Sequence, residues 1–211
     1  MNKKTNLKEL YDELYDNGYH SVEENMTHSR NLIRIINDII PKNKTILDVG
    51  CSHGYAVEDL QKKGYDTYGI DIAEKAIEYS IQRGLINCKC CSADNIDFDD
   101  NMFDVILSTD TLEHIPIDNI DKVINEFNRV TNEKAIIFIK VATVPELNRS
   151  WDHIINDYAY SGLHLTTENL KFWRSKFEAN FFKTVDIIIN TNNFLAILLS
   201  HRVVCASPGL S

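Results

Sequence analysis

Three aspartates recur at a fixed interval in this chain: Asp48 after Ile46-Leu47, Asp71 after Tyr68-Gly69-Ile70, and Asp94 after Ser92-Ala93, each twenty-three residues from the last. One acid at the end of an apolar run is usually a turn or helix cap. Three at successive strand ends line up carboxylates along one edge of a sheet. There they can accept hydroxyl and amino hydrogens or balance a positive charge on a ligand. Gly50-Cys51-Ser52-His53-Gly54 follows Asp48 almost directly. Gly50 and Gly54 permit positive φ and carry no Cβ, so backbone can approach a ligand held at the amino end of the next helix. A dinucleotide turn, G-x-G-x-x-G, packs pyrophosphate against amides and needs no acid at the strand end. G-x-S-x-G preceded by an acid suits a ligand carrying ammonium or sulfonium charge instead. Asp71 is placed to accept both hydroxyls of an adenosine ribose, and Asp94 to take an adenine amino group.

A second cluster is Asp110-Thr111-Leu112-Glu113-His114, directly after the run Val105–Leu107. It sets three polar side chains beside the edge that the aspartates define. His114 is the candidate general base, because histidine titrates near neutrality, and Glu113 is its candidate catalytic partner. His164 precedes a later helix and is a candidate for the acceptor side. Tyr11, Tyr15, Tyr19, Trp151, Tyr158 and Tyr160 are candidates for pocket walls, although an aromatic stripe at helical spacing equally suits a core. Gly50 to Gly54 is also a literal G-x-S-x-G nucleophile elbow with Ser52 as nucleophile. That hydrolase reading puts the elbow on the first strand, finds no oxyanion loop before it, and leaves Asp71 and Asp94 without a role.

The elements that must hold these residues alternate. Ile46–Val49, Thr67–Ile70, Cys88–Ala93, Val105–Leu107 and Ala135–Ile139 read as strands; Ala56–Lys63, Ala73–Arg83 and Ile120–Val130 read as helices. Such alternation predicts a doubly wound α/β fold, a parallel sheet covered on both faces. Helices are expected at Leu7–Tyr15 and Val22–Ile40, the second ended by Pro41. Thr166 is expected to cap a helix running to about Ala179, and Thr184–Ile189 with Phe194–Ser200 to form an antiparallel hairpin at the sheet edge. The chain is expected to be one domain, with a helical lid over 1–44, a core over 45–140, a substrate-side lid over 141–181 and the hairpin over 182–205.

The 211 residues, 44% hydrophobic, suffice for one core. Five cysteines, an odd number, fit reduced thiols better than a disulfide framework. Cys88, Cys90 and Cys91 lack a second ligand pair at zinc spacing. A net charge of −9 with no basic stripe makes a long nucleic acid an unsuitable partner. The amino end is amphipathic and no membrane-length apolar run occurs, so a cytoplasmic protein is expected.

The segments L-D-V-G-C-S-H-G, Y-G-I-D, S-A-D and F-D-V-I-L-S-T-D-T-L-E-H-I together resemble the successive motifs of class I S-adenosylmethionine (SAM)-dependent methyltransferases, over roughly Thr45 to Lys140. The resemblance implies a seven-stranded, mostly parallel sheet with a reversed last strand, and SAM across the carboxyl ends of its first strands. It implies Asp48, Gly50, Cys51 and Gly54 around the methionine part, Asp71 with Ile72 at the ribose, Asp94 and Asn95 at the adenine, and Ser108 beside the methionine amine. Ser52 departs from the pattern, since many relatives carry a second glycine there. D-x-x-E-H is also similar to the E-x-x-E-H of ubiquinone-type O-methyltransferases, whose acids and histidine can bind a divalent metal. No metal site is expected here, because the first acid is shorter and no histidine follows soon after. The implied activity is methylation with release of S-adenosylhomocysteine (SAH); the aromatic and polar rather than apolar lid and the acidic charge favour a small-molecule acceptor, chiefly an oxygen of a sugar, nucleotide-sugar or glycan. N-methylation of an amine and a non-catalytic SAM-binding module are the alternatives.

Overall fold

A computed structural model of the chain describes residues 6–18, 29–143, 163–180, 182–190 and 195–202. Tyr19, Trp151, Tyr158, Tyr160 and the expected helical residues 22–28 lie outside them. In chain order the elements are α1 (Leu7–Asp16), α2 (Arg30–Ile39), β1 (Thr45–Val49), α3 (Tyr55–Lys62), β2 (Asp66–Asp71), α4 (Glu74–Gln82), β3 (Cys88–Cys90), β4 (Phe103–Thr109), α5 (Ile120–Val130), β5 (Thr131–Ala142), α6 (Leu170–Ala179), β6 (Phe182–Asn190) and β7 (Leu195–Arg202).

The sheet runs β3-β2-β1-β4-β5-β7-β6. β1 to β5 are parallel, and β7 is antiparallel to both β5 and β6. The chain winds outward from β1 to β3, then returns to β4 on the other side of β1. A crevice opens at such a reversal beyond the carboxyl ends of the strands. β6 and β7 are the expected hairpin, with β7 inserted between β5 and β6.

Side-chain alternation shows why both faces are covered. Ile46, Val105, Leu107 and Phe138 pack against Leu32, Ile33, Ile36 and Leu60 of α2 and α3. The intervening Leu47, Ile106, Ile137 and Ile139 pack against Ile120, Ile124 and Phe127 of α5 and Trp173 and Phe177 of α6. Successive strand residues point to opposite faces, so apolar residues at every position need two helical layers. Among the described residues no helix is long and apolar enough to cross a membrane. Cys51, Cys88, Cys90 and Cys91 are free thiols.

Among the boundaries that differ from the sequence expectation, two bear on the site. β3 stops at Cys90 rather than reaching Ala93, because Cys91, Ser92 and Ala93 turn to line the crevice. The cap of α6 is Asn169, whose side chain accepts from the Phe172 N–H, and not Thr166. The Thr166 hydroxyl donates instead to the Ile115 carbonyl at 2.5 Å, a tertiary bond that takes the group out of capping reach.

Candidate active site

The crevice is lined at its floor by Asp48, Val49, Gly50, Cys51 and Ser52 after β1, Asp71 and Ile72 after β2, Cys91 to Asp94 after β3, and Thr109 to Thr111 after β4. Its atom-free space, open mouth included, is about 1120 Å³.

The β1 turn is built for close approach. Gly50 has φ of 79°, and a Cβ there would meet the Thr111 hydroxyl at 2.2 Å. The Gly50 and Cys51 N–H groups both donate to the Ile70 carbonyl at 2.9 Å, which ties the turn to β2. Ser52 adopts φ of 50° without being glycine, a conformation that costs an L-residue about 1 to 2 kcal/mol. Its N–H donates to Asp71 Oδ2 at 2.8 Å, and the same carboxylate accepts the Ala73 N–H through Oδ1 at 2.9 Å. Asp71 thus fixes the β1 turn and the start of α4, with lone pairs remaining on each oxygen.

Burial pushes the Asp48 carboxyl up to about 7, helped by the neighbouring charge of Asp71. Asp71 is pushed up to about 6 by burial, against the pull of the two amides. Among the described residues the lining holds four aspartates, Asp48, Asp71, Asp94 and Asp110, and no lysine or arginine, though Asp110 pairs with Lys140. Asp48 and Asp71, buried at the strand ends with no lysine or arginine among the described lining residues, favour a ligand that brings positive charge and hydroxyl donors, and disfavour phosphate. SAM, with an ammonium, a sulfonium and a ribose diol, fits this donor set.

The structure places some expected contacts elsewhere. Gly54 is behind the floor: it begins α3 with φ of 73°, and a Cβ there would meet Leu85. Asn95 is exposed and outside the lining, while Ser92 and Asp94 share a hydrogen bond of 2.5 Å on it. Ser108 is fully buried within β4 and its hydroxyl has no partner among the described residues, because strand alternation gives the crevice to Thr109. The Ser52 hydroxyl is likewise unpartnered, so no base activates it and the nucleophile reading has no support.

On the acceptor side, His114 lines the crevice and Glu113 does not. His114 Nδ1 lies 3.1 Å from the Leu163 carbonyl. A carbonyl only accepts, so Nδ1 carries the hydrogen and Nε2 keeps the lone pair a base needs. Tyr11 and His164 meet the ring edge-on, at centroid distances of 6.1 and 4.8 Å. Glu113 is buried. Its Oε1 accepts the Ala142 N–H at 3.0 Å, and its carbonyl accepts the N–H groups of Leu165 and Thr166 at 2.8 and 2.9 Å. It joins the end of β5 to the segment carrying His164.

Glu113, His114 and His164 offer ligand atoms within 4.8 Å of one another. The spacing a divalent cation requires is therefore present, with its second histidine fifty residues away in sequence. Asp110, which the sequence groups with Glu113 and His114, has φ of 51° and pairs with Lys140 at 2.6 Å. Lys140 is a residue beside the site to which the sequence reading gave no role. A lysine at the end of the apolar run Ala135–Ile139 was the available signal, since a buried lysine needs an acid nearby.

Burial, then the charge of Asp110, pushes Glu113 up to about 8. A carboxyl raised this way stabilises the fold fully below its ordinary pKa near 4.5, and that stability is lost as pH rises through about 8. Glu113→Gln keeps an acceptor for Ala142 without the charge. The variant is expected to lose less stability than wild type between pH 6 and 8.5, by up to about 1.4 kcal/mol per pH unit. Urea unfolding at several pH values reads this, and parallel slopes would mean that Glu113 does not titrate in that range.

Strand order, the acid-tipped β1 and β2, and the crevice beyond the carboxyl strand ends define a Rossmann-like α/β fold. Residues 47–139 match the family model described as a methyltransferase domain. The ubiquinone biosynthesis O-methyltransferase of Hydrogenovibrio crunogenus is 36% identical over 81 residues, 36% of this chain and 34% of that protein. The enzyme of the same name from Bartonella bacilliformis is 29% identical over 111 residues, 50% of this chain and 42% of that protein. The matched part thus spans about a third of the first of these relatives. Among solved structures, 1,6-didemethyltoxoflavin-N1-methyltransferase of Burkholderia thailandensis, with bound SAH, has a TM-score of 0.75 at 14% identity. It covers 94% of this chain and 88% of its own. The cyclase SpnF has the same TM-score and identity, over 94% of this chain and 96% of its own. These two likenesses concern the fold, which hosts more than one chemistry.

Proposed function

We propose that the chain transfers the methyl group of SAM to an oxygen of a small, hydroxyl-bearing acceptor and releases SAH. The observation that carries this reading is the pair of buried acids, Asp48 and Asp71, at the strand ends of a crevice whose described lining residues include no lysine or arginine. In it Asp48 and the amides around Gly50 and Cys51 would hold the methionine end, Asp71 and Ile72 the ribose, and Asp94 the adenine. Bound there, SAM supplies an electrophilic methyl carbon. The chain's own part is to hold the acceptor in line, exclude water and receive a proton. His114 Nε2 is the receiver, with the tautomer fixed by the Leu163 carbonyl. Tyr11 and His164 flank the ring and shape the acceptor wall.

A neutral sugar or phenol hydroxyl suits this lining. No described lining residue carries a cation for a pyrophosphate, so the nucleotide-sugar form of the acceptor draws no support from the crevice. The O-methyltransferase names of the partial relatives favour oxygen. The same acids would also hold an amine as its ammonium, which makes N-methylation the second reading.

Calorimetric titration tests the cofactor assignment. SAH is expected to bind, and ATP to bind roughly 100-fold more weakly or not at all, since phosphate beside a buried carboxylate costs a few kcal/mol or more. ATP binding as tightly as SAH would overturn the reading.

A further inference from the structure

The helix α1 buries none of its own residues, yet it supplies Leu7, Tyr11 and Tyr15 to the crevice lining. Tyr15 meets the His53 ring edge-on at 5.1 Å, as Tyr11 meets His114. What orients the helix lies on another of its faces. Asp12 Oδ1 accepts the backbone N–H of Lys75 at 3.1 Å, and the Lys8 ammonium reaches Glu74 at 2.8 Å and Asp12 at 3.1 Å.

These contacts fall on the first turn of α4, whose own N-cap, Ala73, has no side chain to offer. The first N–H groups of a helix have no partner within it, and an aspartate is among the best acceptors for them. Asp12 therefore caps α4 from a different helix. At 100° per residue, Tyr11, Tyr15 and Leu7 share one side of α1, and fixing Asp12 on α4 sets the rotation that turns this side inward.

We propose that Asp12 is a positioning residue for this crevice: by capping α4 it docks α1 so that Tyr11 and Tyr15 close over the bound cofactor, and its release opens the path for cofactor exchange. The proposal rests on the reading that the crevice binds SAM and SAH.

The test follows dissociation of labelled SAH, chased with excess unlabelled SAH, from the full chain and two variants. Asn caps helices about as well as Asp, and Ala does not. Asp12→Ala is expected to speed dissociation roughly 2- to 30-fold, the spread produced by N-cap deletions, while Asp12→Asn stays within about 2-fold of wild type. Hydrogen exchange at the Lys75 amide should become fast in Asp12→Ala alone. Wild-type binding with dissociation unmoved by Asp12→Ala overturns the proposal and leaves the cofactor reading standing. Equal acceleration by both substitutions overturns the cap as the cause. A wild-type protein that holds no SAH overturns the cofactor reading and this proposal with it.

Discussion

Replacing His114 by alanine is expected to cut the single-turnover rate of methyl transfer about 10²- to 10⁴-fold, the usual contribution of a positioned general base. Affinity for SAH should change little, because His114 lies after β4, whereas Asp48, Asp71 and Asp94 at the ends of β1 to β3 are the residues proposed to hold SAM. The expectation follows from the tautomer. With Nδ1 donating to the Leu163 carbonyl, Nε2 is the nitrogen that carries the lone pair to take a proton from an acceptor hydroxyl. An alcohol must lose that proton as the bond to carbon forms. The wild-type rate should therefore fall on acidification as the base is protonated, and the residual rate of the mutant should lack that limb. An amine delivered neutral attacks through its lone pair and sheds its proton afterwards. For an amine acceptor the substitution would cost about threefold or less at every pH between 6 and 9, and that result would exclude His114 as the base.

His114 and Glu113 illustrate what sequence adjacency conveys. Both stand beside the β4 end in the motif, and both were candidates for one catalytic pair. They fall in a single 3₁₀ turn, Leu112–His114, where successive side chains point about 120° apart. One ring enters the crevice, and the neighbouring carboxyl is carried into the core to bind Ala142. Ser108 and Thr109 repeat the lesson in a strand. Direction is a tertiary property, and a motif lists neighbours without it.

The core of the fold was legible because its signal is local. Apolar residues at every strand position, separated by amphipathic helices, leave few arrangements other than a doubly wound sheet. The partners that sharpen the site are long-range. Asp110 and Lys140 meet because β4 and β5 pair with Thr109 opposite Lys140. Leu163 meets His114, and Thr166 meets Ile115, across 49 and 51 residues of sequence. A single sequence states none of those registers.

Asp71→Ala should have the largest effect on the cofactor itself. A ribose diol given to one carboxylate makes two charge-assisted hydrogen bonds, each about 1.5 to 3 kcal/mol, so their loss should weaken SAH at least about tenfold and, at the upper end, beyond a thousandfold. Part of that loss is indirect, since the Ser52 and Ala73 N–H groups also lose their acceptor. Asp71→Asn separates the parts: it keeps one oxygen for an amide and removes the charge. Wild type carries its own control in pH. Burial pushes Asp71 up to about 6 and Asp48 up to about 7 in the free protein. A protonated carboxyl neither balances an ammonium nor accepts fully from a diol. SAH affinity should therefore rise as pH increases from 5 to 8 and level off once both acids are ionised. Binding should release protons, measurable as a dependence of calorimetric heat on buffer ionisation enthalpy. Asp71→Asn should flatten the lower part of that rise. An affinity independent of pH across this range, together with an Asp71→Ala variant that binds as wild type does, would remove Asp71 from the ribose site and leave it as the clasp between the β1 turn and α4.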